Sequence, residues 1–179
     1  MDSPYEGRLI RLRAREPADE PLLYEWFNDP EVTEYLSVRY PISHAQEKAF
    51  IEGHSSPGYP HADFAVETLA EGKLIGGVDL RPMMPENRSA MLGIAIGDKA
   101  YWDGGYGTDT MRTVCRFGFE MMNLHRIGLE VYEGNDRAQH VYEKVGFKVE
   151  GRKRKARYKL GEYIDVIVMG LLEGELRLG

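Results

Sequence analysis

Gly104, Gly105 and Gly107 fall within four positions at the head of WDGGYGTDTMRTVCRFGFEMM (residues 102–122) and run straight into an amphipathic helical pattern. The first turn of a helix carries unpaired N–H groups and about half a positive charge, so it is a ready seat for an anion, phosphate above all. Phosphate oxygens reach those N–H groups only where no side chain intervenes; glycine removes the side chain and permits positive φ. A short glycine motif alone reads equally as an ordinary turn, so its surroundings decide. GxxxxGK followed by Ser or Thr is absent. The dinucleotide pattern GxGxxG fails because Thr110 stands where the third glycine is needed, and Glu130 lies inside the next strand rather than at its end. What is left is a glycine loop between a strand meander and a long helix, which suits a pyrophosphate whose other end lies along the edge of the preceding strand.

Other residues able to do chemistry are sparser. Asn135 and Tyr142 stand seven positions apart, two turns of helix, so both project from one side with Ala138 leaving room between them. A phenol, with an ordinary pKa near 10, is protonated at neutral pH and can donate. Cys115 lies in the stripe Met111, Cys115, Phe119, Met122 and is expected in the core, where it is a poor nucleophile. As the single cysteine it forms neither an internal disulfide nor a thiolate metal knuckle. His44, His54, His61, His125 and His140 show no ligand spacing and no triad-like company, so no metal is expected. Glu67 in FAVETL and Asp79 in GGVDLRP are acids within strands, and Glu34 lies among the early helices; each can be a solvated surface group or a proton acceptor. Six cations crowd between Arg152 and Lys159, and a tight turn follows; they suit an edge strand protected by charge.

The elements that must position these groups follow from periodicity. RLIRLRA (residues 8–14) alternates as a first strand, and ADEPLLYEWFND, a short piece from Pro30 to Leu36, and a segment opening at Ser43 with capping-box partner Gln46 read as helices. ADFAVETL, KLIGGVDLR and RSAMLGIAIG form an antiparallel meander, with PMMPEN expected as a loop between the last two. After the glycine loop and its helix come the strand HRIGLEVY, a helix capped at Asn135 or Asp136 and ended by Gly146, and two closing strands near 147–158 and 163–171. This order fits an α/β fold, a mixed, mostly antiparallel central sheet with helices on both faces. With 179 residues, 42% hydrophobic and 29% charged, the chain fits one globular domain, 1–179. A net charge of −6 argues against nucleic acid as a partner and leans towards a cationic small molecule. No apolar run reaches the roughly 20 residues that span a bilayer, and the N-terminus lacks a secretory block, so no membrane partner and a cytoplasmic location are expected.

From Trp102 onward the chain resembles the GNAT superfamily of N-acetyltransferases, in its RimJ/RimL-like branch. The family loop Gln/Arg-x-x-Gly-x-Gly/Ala is met by Trp102-Asp103-Gly104-Gly105-Tyr106-Gly107. A second block, NDRAQHVYEKVGFKVEGRKRKARYKLGEYIDVIVMGLL, matches the branch's ending at Asn135, Arg137, Ala138, Tyr142, Gly146-Phe147, Glu150-Gly151 and the turn residues Gly161, Tyr163 and Asp165. The resemblance covers about residues 88–172. It implies acetyl-CoA as donor and direct transfer to a primary amine, without an acyl-enzyme. It places Ile94, Ala95 and Ile96 along the pantetheine arm, Trp102 to Thr108 around the diphosphate, Asn135 on the arm and the Tyr142 hydroxyl as acid to the departing thiolate. Relatives often carry an acid where Met91 stands, so the base is expected elsewhere, at Glu67, Asp79 or Glu34. The acceptor is expected to be a protein N-terminal amine or a small amine such as a polyamine. A non-catalytic acyl-CoA sensor and a homodimer are further alternatives.

Overall fold

The computed structural model describes residues 3–179, with the backbone alone for residues 82–84. Seven strands and five α-helices follow one another as β1 (Ile10–Arg13), α1 (Glu20–Phe27), α2 (Pro30–Thr33), α3 (His44–His54), β2 (Ala62–Thr68), β3 (Leu74–Met84), β4 (Ser89–Ile96), α4 (Tyr106–Met121), β5 (Arg126–Tyr132), α5 (Asp136–Val145), β6 (Lys148–Lys159) and β7 (Glu162–Leu172). Ser43 and Gln46 close the capping box at the start of α3, and Asn135 caps α5, whose end is marked by Gly146 in the left-handed region.

The strands form one sheet in the order β1-β2-β3-β4-β5-β7-β6, antiparallel except where β4 meets β5. Alternation along β2 sends Phe64 and Val66 to one face, where they meet Met111, Val114 and Cys115 of α4. Ala65 points to the other face, against Leu23 and Trp26 of α1, Val32 of α2 and Ile51 of α3. Helices therefore cover both faces, as the order of elements predicts.

Two boundaries differ from expectation. The segment PMM is strand rather than loop: β3 continues to Met84, with the register slipping between Pro82 and Met84, and a bulge is a place where a strand tolerates proline. β1 begins only at Ile10, because the amides before it are taken by a side chain. Asp109, in the first turn of α4, accepts hydrogen bonds from the N–H groups of Arg8 (3.1 Å), Leu9 (2.8 Å) and Ile10 (3.2 Å). One buried carboxylate thus ties the first strand to the helix behind the glycine loop.

Removing that carboxylate strands three amides, and charge-assisted hydrogen bonds of this kind are worth ~1.5–3 kcal/mol each at best. Asp109→Ala is expected to lower stability by about 3 kcal/mol, read from the midpoint of urea unfolding at unchanged slope; a loss below 0.5 kcal/mol would show the tie to be incidental.

Candidate active site: a cleft between parted strands

β4 and β5 pair only over Ser89–Met91 against Arg126–Gly128. Beyond that, β4 stays with β3 as far as Ile96 opposite Gly76, and β5 stays with β7 as far as Tyr132 opposite Val166. The two strands part, and a cleft of about 570 Å³ opens between them. Ile94, Ala95 and Ile96 form its β4 wall, Asn135, Ala138 and Tyr142 of α5 line the opposite side, and Trp102 and Gly107 lie at the α4 end. Asp103, Gly104, Gly105, Tyr106 and Thr108 make the turn behind that end without lining the cleft.

The turn has a division of labour that the sequence did not show. Positive φ falls on Gly105 (86°) and on Asp103 (61°), not on Gly104 or Gly107. Gly105 is the N-cap and offers no side-chain bond; the first amide of the helix to find a backbone acceptor is that of Asp109, on Gly105. Among the described residues the N–H groups of Tyr106, Gly107 and Thr108 have no acceptor. Gly107 is kept bare for a different reason: a Cβ there would have Ile96 Cγ1, at 4.0 Å, as its nearest neighbour, so a side chain would extend into open cleft. These features fit a diphosphate. Trp102 acts as a strut: its Nε1–H donates to the Ile96 carbonyl (2.7 Å), and the Arg137 guanidinium from α5 stacks over its ring at 4.5 Å while pairing with Asp103.

Asn135 accepts from the Ala138 N–H (3.3 Å), so its carbonyl oxygen serves as the helix cap and its amide N–H groups have no acceptor among the described residues. Tyr142 is half-buried, and its withdrawal from water pushes the phenol up to about 12. Cys115 is fully buried and its thiol pushed upward for the same reason, which removes it from nucleophilic chemistry.

The candidate bases separate. Glu67 lies away from the cleft, held by Arg11 Nε and Arg13 Nε at 2.7 Å each; although burial works against its charge, those hydrogen bonds keep its carboxyl below the usual range. It is a structural ion. Asp79 on β3 sits opposite Gly93 of β4, and its Oδ2 is 2.8 Å from where a Cβ of Gly93 would stand. Gly93 lines the cleft and Asp79 does not; the carboxylate rests against the bare Gly93 position one strand back. Burial, reinforced by Asp63 across the sheet and opposed by Arg81 and Arg15, raises Asp79 to about 6. The ion pair with Arg81 (2.9 Å) does not cancel this, because the Arg81 side chain is largely in solvent. Met91 is in the cleft itself.

Of the wall facing the donor side, the sequence singles out only Glu34. Glu31, Glu34, Tyr35, Leu36 and Ser37 line the cleft together with Glu130, Tyr132 and Asp136; irregular chain after α2 supplies most of this wall, with no periodic signal to mark it. His54, His61 and Asp63 bring one ligand atom each within 4.8 Å of one another, a proximity invisible in their spacing, but none of them lines the cleft. Arg152 pairs with Glu133 and Asp165, and Lys153 with Glu130, so these two cations of the basic run are neutralised locally.

A parted β4–β5 pair and a bare helix N-terminus fit an acyl-CoA donor. Residues 9–148 match the acetyltransferase (GNAT) domain, and the chain belongs to that family. It is 28% identical to the N-acetyltransferase p20 of Bacillus licheniformis over 98% of both chains. It is 31% identical to the spermidine N(1)-acetyltransferase of Escherichia coli over 62% of this chain and 58% of that one. The spermidine N-acetyltransferase of Vibrio cholerae, solved with CoA and spermine, superposes with a TM-score of 0.84 at 28% identity, covering 93% of this chain and 96% of that one. The protein is an N-acetyltransferase that uses acetyl-CoA as donor. No helix of the described residues is long and apolar enough to cross a membrane.

Two measurements probe this geometry. Gly107→Val is expected to weaken acetyl-CoA binding at least tenfold by calorimetry with an unchanged melting temperature; intact affinity would put the donor elsewhere. A carboxyl raised from 3.8 to about 6 favours the folded state fully below pH 3.8 and loses that contribution as pH rises to 6. Asp79→Asn should therefore flatten the fall in stability across pH 4–6, and an identical pH dependence in the variant would mean that Asp79 is ordinarily solvated.

Proposed function

We propose that the protein acetylates a primary amino group of a small polycationic amine of the spermidine type, with Asp79 and Tyr142 handling the two protons of the transfer. The observation that carries the acceptor class is the acidic wall of the cleft. With the donor held at the α4 end and along β4, the wall at residues 31–37 is left for the acceptor. Glu34 and Asp136 line the cleft without an ion pair among the described residues, beside the rings of Tyr35 and Tyr132. Carboxylates and aromatic faces together suit a chain of ammonium groups. The spermidine acetyltransferases among the relatives support the same class.

Acetyl-CoA, when bound, supplies an acetyl group already activated as a thioester. The amides of Tyr106, Gly107 and Thr108 hold its diphosphate, and the open edge of β4 at Ile94–Ile96, with the Asn135 amide, holds its arm. N–H groups at Ala95 or Ile96 oppose the charge that grows on the carbonyl oxygen. An ammonium, with a pKa near 10, must lose a proton before its nitrogen can attack; Asp79 accepts that proton at the margin over Gly93, through water. The N–C bond forms as the C–S bond breaks; the Tyr142 hydroxyl gives its proton to the sulfur and is restored by the second proton that the new amide nitrogen sheds, so the net release is the single proton passed to Asp79. Burial keeps this phenol protonated, so it remains an acid throughout the neutral and mildly alkaline range.

Spermidine, spermine and a peptide with a free N-terminus, compared by release of free thiol, test the acceptor. Spermidine is expected to turn over with a KM at least tenfold below the peptide's, and turnover of the peptide alone would overturn the polyamine reading. Asp79→Asn and Tyr142→Phe are each expected to lower kcat about 100-fold with acetyl-CoA affinity intact, and wild-type kcat should show no loss up to pH 10 from ionisation of Tyr142. Unchanged kcat in either variant removes that residue from the chemistry.

A further inference from the structure

Resting on the reading that residues 31–37 receive the acceptor, we infer that Arg157 and Lys159 are positioning residues that set acceptor affinity from the other end of the chain. Both belong to the basic run, yet neither is spent on an acidic side chain. Arg157 is 9% exposed; its Nη2 donates to the Leu36 carbonyl (2.7 Å) and its Nη1 to the Tyr132 hydroxyl (2.5 Å), while its guanidinium lies 4.0 Å above the Tyr132 ring. Tyr132 in turn shares a hydrogen bond with Ser37 Oγ (3.0 Å). Lys159 Nζ donates to the carbonyls of Thr33 (2.8 Å) and Glu34.

Three carbonyls of the acceptor wall, those of Thr33, Glu34 and Leu36, are thus held by two cations more than 120 residues further along the chain, and Ser37 is tied to Arg157 through Tyr132. The wall needs this help. α2 is a single turn with no basic residue to complement its C-terminus, and its last carbonyl, that of Thr33, has one backbone donor, the Leu36 N–H (3.1 Å). Cations on such carbonyls fix the loop and keep Glu34 at the cleft.

The aim of these cations is set by a bulge. Lys153 pairs with Val166 and Arg157 with Ile164, so residues 154–156 stand opposite Asp165 alone. Lys155 occupies the left-handed region (φ 49°), and Asp165 fixes the excursion by accepting from the Lys155 N–H (2.8 Å) and from Arg152 Nη1 (2.9 Å). A bulge re-aims the side chains that follow it; here they are Arg157 and Lys159.

The test pairs two readings of Arg157→Ala, Arg157→Lys and Lys159→Met in the full chain. Hydrogen exchange of the amides of residues 32–37 is expected to speed up at least tenfold in Arg157→Ala and Lys159→Met, whichever amine is the acceptor. With spermidine as probe, KM should rise at least tenfold while acetyl-CoA KM stays within twofold and kcat within threefold, and Arg157→Lys, which keeps one donor, should fall between. Unchanged exchange, unchanged amine KM, or a parallel collapse of kcat and acetyl-CoA KM overturns the inference. If wild-type protein ignores spermidine, the polyamine reading fails by itself, and KM is then measured on the amine that the panel shows to be acetylated.

Discussion

The site exists because β4 stops pairing with β5 after three residues. A backbone N–H or C=O withdrawn from water needs a partner, so a sheet ordinarily closes every internal edge. Here the edge from Leu92 to Ile96 is left open inside the sheet, and it survives because each strand is secured on its other side, β4 by β3 and β5 by β7. The N–H groups of Gly97 and Asp98 continue the grip by bonding to the Ile75 carbonyl just where β4 runs out. An arm carrying two amides is the natural completion of such an edge, since it offers donors and acceptors at strand-like spacing.

The same economy governs α4. Its N-terminus leaves the amides of Tyr106, Gly107 and Thr108 without acceptors among the described residues, while the carboxylate of Asp109, in the same first turn, collects three amides from the approach to β1. An acid in the first turn could have cancelled the positive end of the helix that an anion needs. Its charge is spent sideways instead, on Arg8–Ile10, and the Trp102–Arg137 stack braces the loop from the α5 side.

How much of this was legible depended on whether a feature has a period or a fixed spacing. The strand meander, the capping boxes and the glycine loop announce themselves locally, and so does the shared face of Asn135 and Tyr142. What could not be read is whatever depends on register across strands. Glu67 and Asp79 look alike in sequence, both acids in β-rich stretches; only the neighbouring strand separates them, since Glu67 faces Arg11 and Arg13 whereas Asp79 faces the gap at Gly93. The basic run gave a similar ambiguity. Six cations in eight positions read as surface charge, and a three-residue bulge opposite Asp165 divides them into surface pairs and loop clamps. The acidic wall at residues 31–37 was the least visible, because irregular chain carries no pattern.

The absence of an acid at Met91 is therefore less of a defect than the sequence suggests. On a sheet, a functional group can be supplied by the strand carrying it or by the adjacent strand at the same height, provided nothing stands between. Gly93 meets that condition, with no side chain between the Asp79 carboxylate and the strand that lines the cleft. A carboxylate placed there feels burial more than the opposing pull of its exposed partner Arg81, and a second acid, Asp63, adds to the rise; those are the conditions that raise a carboxyl towards neutral pH. An acid directly on β4 would sit closer to the reacting atoms but would be open to the cleft's solvent. One strand back, the same group gives up proximity and gains basicity, and the proposed role of Asp79 as base therefore calls for a connecting water.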